Sequence, residues 1–485
     1  MAFNNEYNPF TLIGRIMRFN PASQRSTEPE KINSAFSLAV DALCSRLERE
    51  PLIAGSLTRV EQNIPDIPLL SWLENNTGTV RLYWLNRDRT FAVAGLGAAK
   101  TLQATDRSGI PDLIRQIKKI TRHHSAHFVG GVAFNEEGLK GLWNRHPFAE
   151  FILPEIEIVC RNNQHYLAVN LLPDENHCTR LVKQKLITQL KSLSFETETL
   201  NARITRHEIQ YKEHLPTRTR WQTRVSTALS KVAGGELDKV VLCRQSRLGL
   251  CSPISAPELL NKWQQANGQG YLFCMENRHG AFMGNSPERL FLRTQTTLKT
   301  EAVAGTAVRG ATQEEDALLE AHLTHDPKIQ TEHQLVADYI QNRLHALSDA
   351  PVLSGERSVI KLAQVQHLST PFRVELKPGI CDSEILLSLH PTPAVCGSPL
   401  KQSMDLINQN SSPPRGWYAG AIGVVAPDRT EFCVAIRSLY LQGNRIDCYA
   451  GVGLVEGSEA EAEWQEMDAK IKTLLALFNS TPLAL

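Results

Sequence analysis

Between Lys239 and Val303 the chain sets four or five short apolar runs in quick succession, with only Gly and Asn turns between them. Runs spaced in this way are read as antiparallel strands. The same pattern returns at Trp417–Val425, Glu431–Leu441 and Arg445–Val455, and hairpins are expected at Val80–Gly97 and Phe151–Leu172. Helical periodicity marks Ile32–Glu50, where Phe36, Ala39, Val40, Leu43 and Leu47 share one side. It also marks Pro111–His123, Leu181–Leu193, Arg218–Ala233, Leu318–Leu347 and Glu459–Phe478. The Leu318–Leu347 helix should break at Asp326-Pro327, with Asp326 capping a new helix that carries Glu332 in its second turn. Strands in runs with helices gathered beside them define an α+β protein, read as one large fold. Residues 195–216 are polar and are expected to join an N-terminal part (1–205) to a C-terminal region (206–478).

Charge narrows the function classes. The 52 basic and 51 acidic side chains leave a net +1 with no block of like charge, so a nucleic-acid surface is not expected. No apolar run approaches the ~20 residues of a membrane span. The first residues, Met1 to Glu6, carry no signal pattern. Ten cysteines are scattered without a C-x-x-C pair, which predicts reduced thiols and a cytoplasmic protein. No conspicuous apolar helix face is left over, so a monomer is expected. Gly95-Leu96-Gly97-Ala98-Ala99 lacks the third glycine and the βαβ setting of a dinucleotide loop, and reads as a turn.

Six charged residues stand out. At ~100° per residue, Glu463, Glu466 and Lys470 fall on one narrow stripe of the last helix, beside an apolar stripe of Met467, Ile471, Leu474, Leu475 and Phe478. The carboxylates therefore lie at the rim of the buried face. Taken singly, Glu466 with Lys470 reads more readily as an ordinary i, i+4 surface pair, and Glu332 as an ordinary solvated helix residue. Lys239 lies in a strand whose alternation puts Asp238 and Val240 on the other face. Glu288 follows Ser286-Pro287 at a tight turn between apolar strands, a setting that raises a carboxyl pKa.

Set in their motifs, these residues resemble the chorismate-utilising enzymes, and most closely the isochorismate synthases among them. The resemblance rests on Glu236–Leu242, Phe282–Leu290, Ala304-Gly305-Thr306 with Arg309-Gly310, Gln366-His367-Leu368, Leu389–Gly397, Trp417–Gly420, Ala435-Ile436-Arg437 and Ala450–Gly453. It is strong over Trp221–Leu477. Arg81–Leu85 and Ala94–Gly97 are similar, more softly, to the menaquinone-pathway type.

The resemblance implies a Mg²⁺-dependent, reversible conversion of chorismate to isochorismate. Lys239 would be the base that activates water and Glu288 the acid at the leaving hydroxyl. Glu332 and Glu466 would hold the ion, with Glu463 reaching it through water. Gly305, Thr306, His367, Ala394, Tyr418, Arg437, Gly451 and Lys470 would line the substrate. Ala304 stands where aminodeoxychorismate synthases carry a lysine nucleophile, and Lys239 where anthranilate synthases carry glutamine. Ala394 replaces the threonine frequent in salicylate synthases. No glutamine-amidotransferase subunit is implied. Salicylate synthase, and a noncatalytic chorismate-binding protein, stay open as alternatives, as do menaquinone and siderophore synthesis as uses of the product. His325-Asp326-Pro327-Lys328 departs from the family's usual approach to the metal-binding glutamate, and metal binding is expected to survive the change.

Overall fold

The computed structural model describes residues 29–173, 179–194, 207–266, 268–361, 365–409 and 413–478. The expected junction at 205/206, and the first residues read for a signal, lie outside them. Among the described residues, the strands form one sheet of twelve and one of ten, and every pairing is antiparallel. Helices pack on the sheets, giving the α+β architecture that the strand spacing predicts.

Both sheets mix strands from early and late in the chain. In the larger sheet, Arg81–Leu85 pairs with Tyr271–Asn277, placing Arg81 opposite Glu276. Arg81 donates a two-pronged fork to that carboxylate, at 2.6 and 2.9 Å, a geometry only a guanidinium provides. In the smaller sheet Phe128–Val132 pairs with Ala421–Val425. Gly131 is required there, because a Cβ would run into the Ala421 carbonyl.

Among the described residues the chain changes sheets at four short segments, and twice more over longer stretches before and after Gly397–Ser398. Leu96 to Lys100 and Leu153 to Ile156 connect the sheets in the N-terminal part. Ser286 to Arg289 and Val434 to Ser438 do so in the C-terminal region. The last two hold Glu288 and Arg437. Gly97, at φ 68°, makes the first of these turns, and its amide donates to Val80 O at 3.0 Å.

Most expected elements are present. Phe36, Ala39, Val40, Leu43 and Leu47 are all buried on the helix Pro29–Arg49. The helix break is as expected: Gln313–His325 ends, Asp326 Oδ1 accepts from the Ile329 amide at 2.9 Å, and Pro327–Leu347 begins. Four readings need correction. The strand run expected over Lys239–Val303 is interrupted by a helix, Ala256–Ala266, which buries Leu259, Leu260 and Trp263 on one face. The strand expected over Glu431–Leu441 is two, Arg429–Val434 and Ser438–Gln442, one in each sheet, with Arg437 at φ 50° between them. The strand expected from Trp417 begins at Ala421, because Gly416 and Ala419 take positive φ (52° and 61°) and fold Trp417–Gly420 into a turn. Part of the polar connector, Ile209–Leu215, is a strand on Lys239–Leu250. Its residues alternate between partly buried and exposed, so it has no apolar period to detect. No helix among the described residues is long and apolar enough to cross a membrane.

Candidate active site

Lys239 opens the strand Lys239–Leu250, between Gly397–Ser398 and Arg445–Leu454. Its side chain is fully buried, and Nζ donates to Glu332 Oε1 at 2.7 Å. Leaving a buried ammonium unpaired would cost about 3–5 kcal/mol, so with nothing bound in the site Glu332 is the partner that burial calls for. Gly453 makes the pair possible. A Cβ there would stand 2.6 Å from Lys239 Cε and 2.8 Å from Glu332 Oε1. This residue is in the Ala450–Gly453 motif, yet its role cannot be read from sequence because it depends on the neighbouring strand.

Burial would raise the Glu332 pKa, but the Lys239 charge and hydrogen bond, with Lys470 and Lys328 beyond, hold it below the usual value. Glu288 behaves in the opposite way. Burial, reinforced by the negative charge of Glu301 and only partly offset by Lys239, pushes it up to about 8. Its turn is tied at both ends: the Val434 amide donates to Glu288 O at 3.1 Å, and Ser286 Oγ donates to Val434 O at 2.6 Å. The raised acid that the turn predicted is therefore present, protonated at neutral pH.

Glu463 and Glu466 lie on Ala460–Leu475, on the face the periodicity indicates. Glu463 is buried and receives Lys328 Nζ at 3.3 Å, and burial followed by the charge of Glu466 raises its pKa. Glu466 pairs with Lys470 at 2.7 Å, and Lys470 Nζ also donates to Gly451 O at 2.9 Å. Each of the three carboxylates thus has its own lysine. Among the described residues, no three acidic, His or Cys side chains converge closely enough to form a ready metal cage. Oxygen-only donors held by displaceable ammonium groups still suit a hard cation that needs one or two carboxylates and completes its shell with water and substrate.

Arg437 stands at the other sheet crossing, at φ 50°. Burial pulls its guanidinium down to about 10, so it remains charged at neutral pH. Nη1 donates to Lys470 O at 3.2 Å, while Nη2 is buried without a hydrogen-bond partner among the described residues. His367 is similar. Its Nδ1 lies 3.2 Å from Gly305 O and 3.1 Å from Thr306 Oγ1. A carbonyl only accepts, so the proton belongs on Nδ1 and Nε2 is left as a buried acceptor without a partner. Burial, then Arg437 and Lys470, push its pKa down to about 3, so the ring is neutral.

Tyr418 is buried and stacks on Tyr449, with centroids 5.0 Å apart. A Cβ on Gly451 would meet its hydroxyl at 2.8 Å. Gly305, at φ 78°, leaves room for Ile329 of the Glu332 helix. Ala394 is half-buried in the loop Pro391–Gly397. Arg415, which sequence reasoning missed, holds that loop by donating to Val395 O at 2.8 Å and to Val241 O at 2.6 Å. Lys328 was missed as a partner of Glu463 as well. Through-space charge effects link Glu288 to Lys239, Lys239 and Lys470 to Glu332, Glu466 to Arg437, and Arg437 to His367. A surface hollow lined by Asp106, Arg107, Ser108, Pro111, Glu136 and Leu387 contains none of the predicted site residues.

A buried lysine whose charge is felt by a raised carboxyl, together with a buried guanidinium nitrogen and a buried imidazole nitrogen that no described residue satisfies, is an arrangement suited to a small anionic substrate and to proton transfer. The sequence profile of the chorismate binding enzymes matches residues 45–479, and the chain belongs to that family. Isochorismate synthase MenF from Haemophilus influenzae is 30% identical over 426 residues, covering 87% of this chain and 92% of that protein. The MenF of Escherichia coli K12 is 32% identical over 419 residues, covering 84% and 90%. The solved structure of MenF, the menaquinone-specific isochorismate synthase from Escherichia coli, superposes with a TM-score of 0.80 at 28% identity. The match covers 92% of this chain and 100% of that one.

Proposed function

We propose that this protein is an isochorismate synthase, moving a hydroxyl from ring carbon 4 of chorismate to ring carbon 2. The observation that carries this reading is Glu288, held protonated up to about pH 8 in the same buried site as Lys239. A general acid works best with a pKa near the working pH. Lys239, in its neutral form and released from Glu332, accepts a proton from water as that oxygen bonds to C2. The ring double bonds shift, the C4–O bond breaks, and the leaving oxygen departs as water with the Glu288 proton. One water enters and one leaves, so the reaction is an isomerisation and is reversible.

Arg437 Nη2 and Lys470 would receive the enolpyruvyl carboxylate, with Tyr418 and the Gly451 backbone beside them, and a guanidinium suits a carboxylate through its planar fork. His367 Nε2 would accept a hydrogen bond from the ligand. Gly305 and Thr306 allow close backbone approach, and Ala394 lines the ring. Mg²⁺ would be held by Glu332 and Glu466, with Glu463 through water, and would offset the charge of the ring carboxylate. Lys239 and the absence of a nucleophile at Ala304 favour water over ammonia and over an enzyme-bound adduct, so no amidotransferase partner is required. The nine unpaired cysteines among the described residues suit the reducing cytoplasm. We read residues 206–478 as the catalytic region of a monomer, with the product used for menaquinone or siderophore synthesis.

The test is incubation with chorismate and Mg²⁺, followed by chromatography and mass spectrometry. Isochorismate in equilibrium with chorismate, without pyruvate, is the expected result. Salicylate with pyruvate would replace this reading by a salicylate synthase, and no conversion by a noncatalytic binding protein.

A further inference from the structure

The helix Ala460–Leu475 carries Glu463, Glu466 and Lys470, so its rotation about its own axis decides where those groups point. On the site side it is held by the Lys470 ammonium on Gly451 O and by Arg437 on Lys470 O. Its other side meets Arg244. Arg244 lies five residues after Lys239 on the same strand, and alternation therefore puts the two side chains on opposite faces of the sheet. It is fully buried. Its Nη2 donates to Asp468 Oδ1 at 2.6 Å, and its guanidinium lies over the Trp464 ring at 4.3 Å. At ~100° per residue, Asp468 is roughly 180° around the helix from the midpoint of the Glu463–Glu466–Lys470 stripe, and Trp464 roughly 140°.

Trp464 is itself boxed in. His214 meets it edge-on at 5.5 Å and Trp221 at 6.3 Å, and Trp221 Nε1 donates to Ala460 O at 2.8 Å. Arg244 Nε and Nη1 are buried without hydrogen-bond partners among the described residues. An ion pair with that much unsatisfied polarity is a poor way to gain stability, since apolar side chains of the same volume are often as stable or more so. What a single directed hydrogen bond and a ring contact do provide is orientation. Resting on the isochorismate synthase reading, we infer that Arg244 is a positioning residue. It sets the rotation of the terminal helix from behind, and so the placement of the carboxylates and Lys470 in the site.

The experiment compares Arg244→Met, Arg244→Lys and Asp468→Ala with the parent protein. Thermal unfolding and circular dichroism check the fold, steady-state kinetics give kcat and KM for chorismate, and calorimetry follows Mg²⁺ binding without chorismate. Sub-ångström to ångström misplacement of reacting groups costs up to about 100-fold. For folded variants we expect kcat/KM to fall about tenfold or more, with weaker Mg²⁺ binding. Arg244→Lys should restore little, because an ammonium cannot keep both contacts. Unchanged kinetics and unchanged Mg²⁺ binding in a folded variant would overturn the inference. If Arg244→Met does not fold, Asp468→Ala decides, since it removes the acceptor at a side chain that is 38% exposed. If the parent protein does not convert chorismate, the functional reading fails instead, and the Mg²⁺ titration alone still judges Arg244.

Discussion

The chain makes short crossings between its two sheets in both parts of the molecule, yet only the C-terminal pair carries candidate site residues. In the N-terminal part the crossings pack against each other and close. Ala99 N donates to Leu153 O, Glu155 N to Leu96 O and Asn170 N to Glu155 O, at 2.9–3.1 Å. Gly95 lies so close to Pro154 that a Cβ would stand 2.6 Å from Pro154 Cγ. The C-terminal crossings have equally complete backbone ties, with Asn285 N on Arg437 O and Val434 N on Glu288 O. Their side chains differ: a carboxyl pushed up to about 8 at one, and a guanidinium with a buried unpartnered nitrogen at the other. Backbone satisfaction makes a crossing stable; what sets the C-terminal pair apart as the candidate site is the charged and acidic side chains it presents.

Lys239→Ala should break this contrast most severely. Loss of a general base costs about 10²–10⁴-fold in rate, and circular dichroism should show the fold retained; normal turnover would remove Lys239 as the base. Glu288→Gln comes next. The parent kcat/KM should hold up to about pH 8 and fall above it, as the acid loses its proton. In the variant the rate is low and that alkaline limb is absent, and a pH profile identical in both would reassign the acid. The same shift has a stability sign. A carboxyl raised above its ordinary value of 4.5 favours the fold fully below that value, and the contribution is lost as pH rises to about 8. Unfolding midpoints should therefore gain from Glu288→Gln mainly at the alkaline end.

Glu466→Gln should raise the Mg²⁺ concentration for half-maximal rate by about tenfold or more, read from a Mg²⁺ titration, and an unchanged titration would mean that this carboxylate does not hold the ion. Two glycines give the smallest and sharpest test. Gly95→Ala in the closed crossing should cost about 1–3 kcal/mol of stability and leave kcat per folded molecule alone. Gly453→Ala should instead lower kcat, because its methyl group displaces Lys239 and Glu332. If both variants change only the unfolding midpoint, Gly453 is structural after all.

Much of this was legible in advance. The stripe of Glu463, Glu466 and Lys470, the cap at Asp326 and the raised acid at Glu288 follow from helix period, capping chemistry and a turn between apolar strands. The strand Ile209–Leu215 escaped because it has no buried face to impose a period. The turn Trp417–Gly420 escaped because positive φ at Ala419 carries no sequence mark.

Local order determines which residues share a helix face or strand, so the sequence alone settled the α+β class, the candidate acid, base and carboxylates, and the family. Only the tertiary structure decided who meets whom: that Lys239 pairs with Glu332, that Gly453 leaves room for them, that each carboxylate has its own lysine, and that Arg244 stands behind the terminal helix. Those contacts join residues tens to hundreds of positions apart, and pairing across sheets and helices is set by packing of the whole fold rather than by any local spacing.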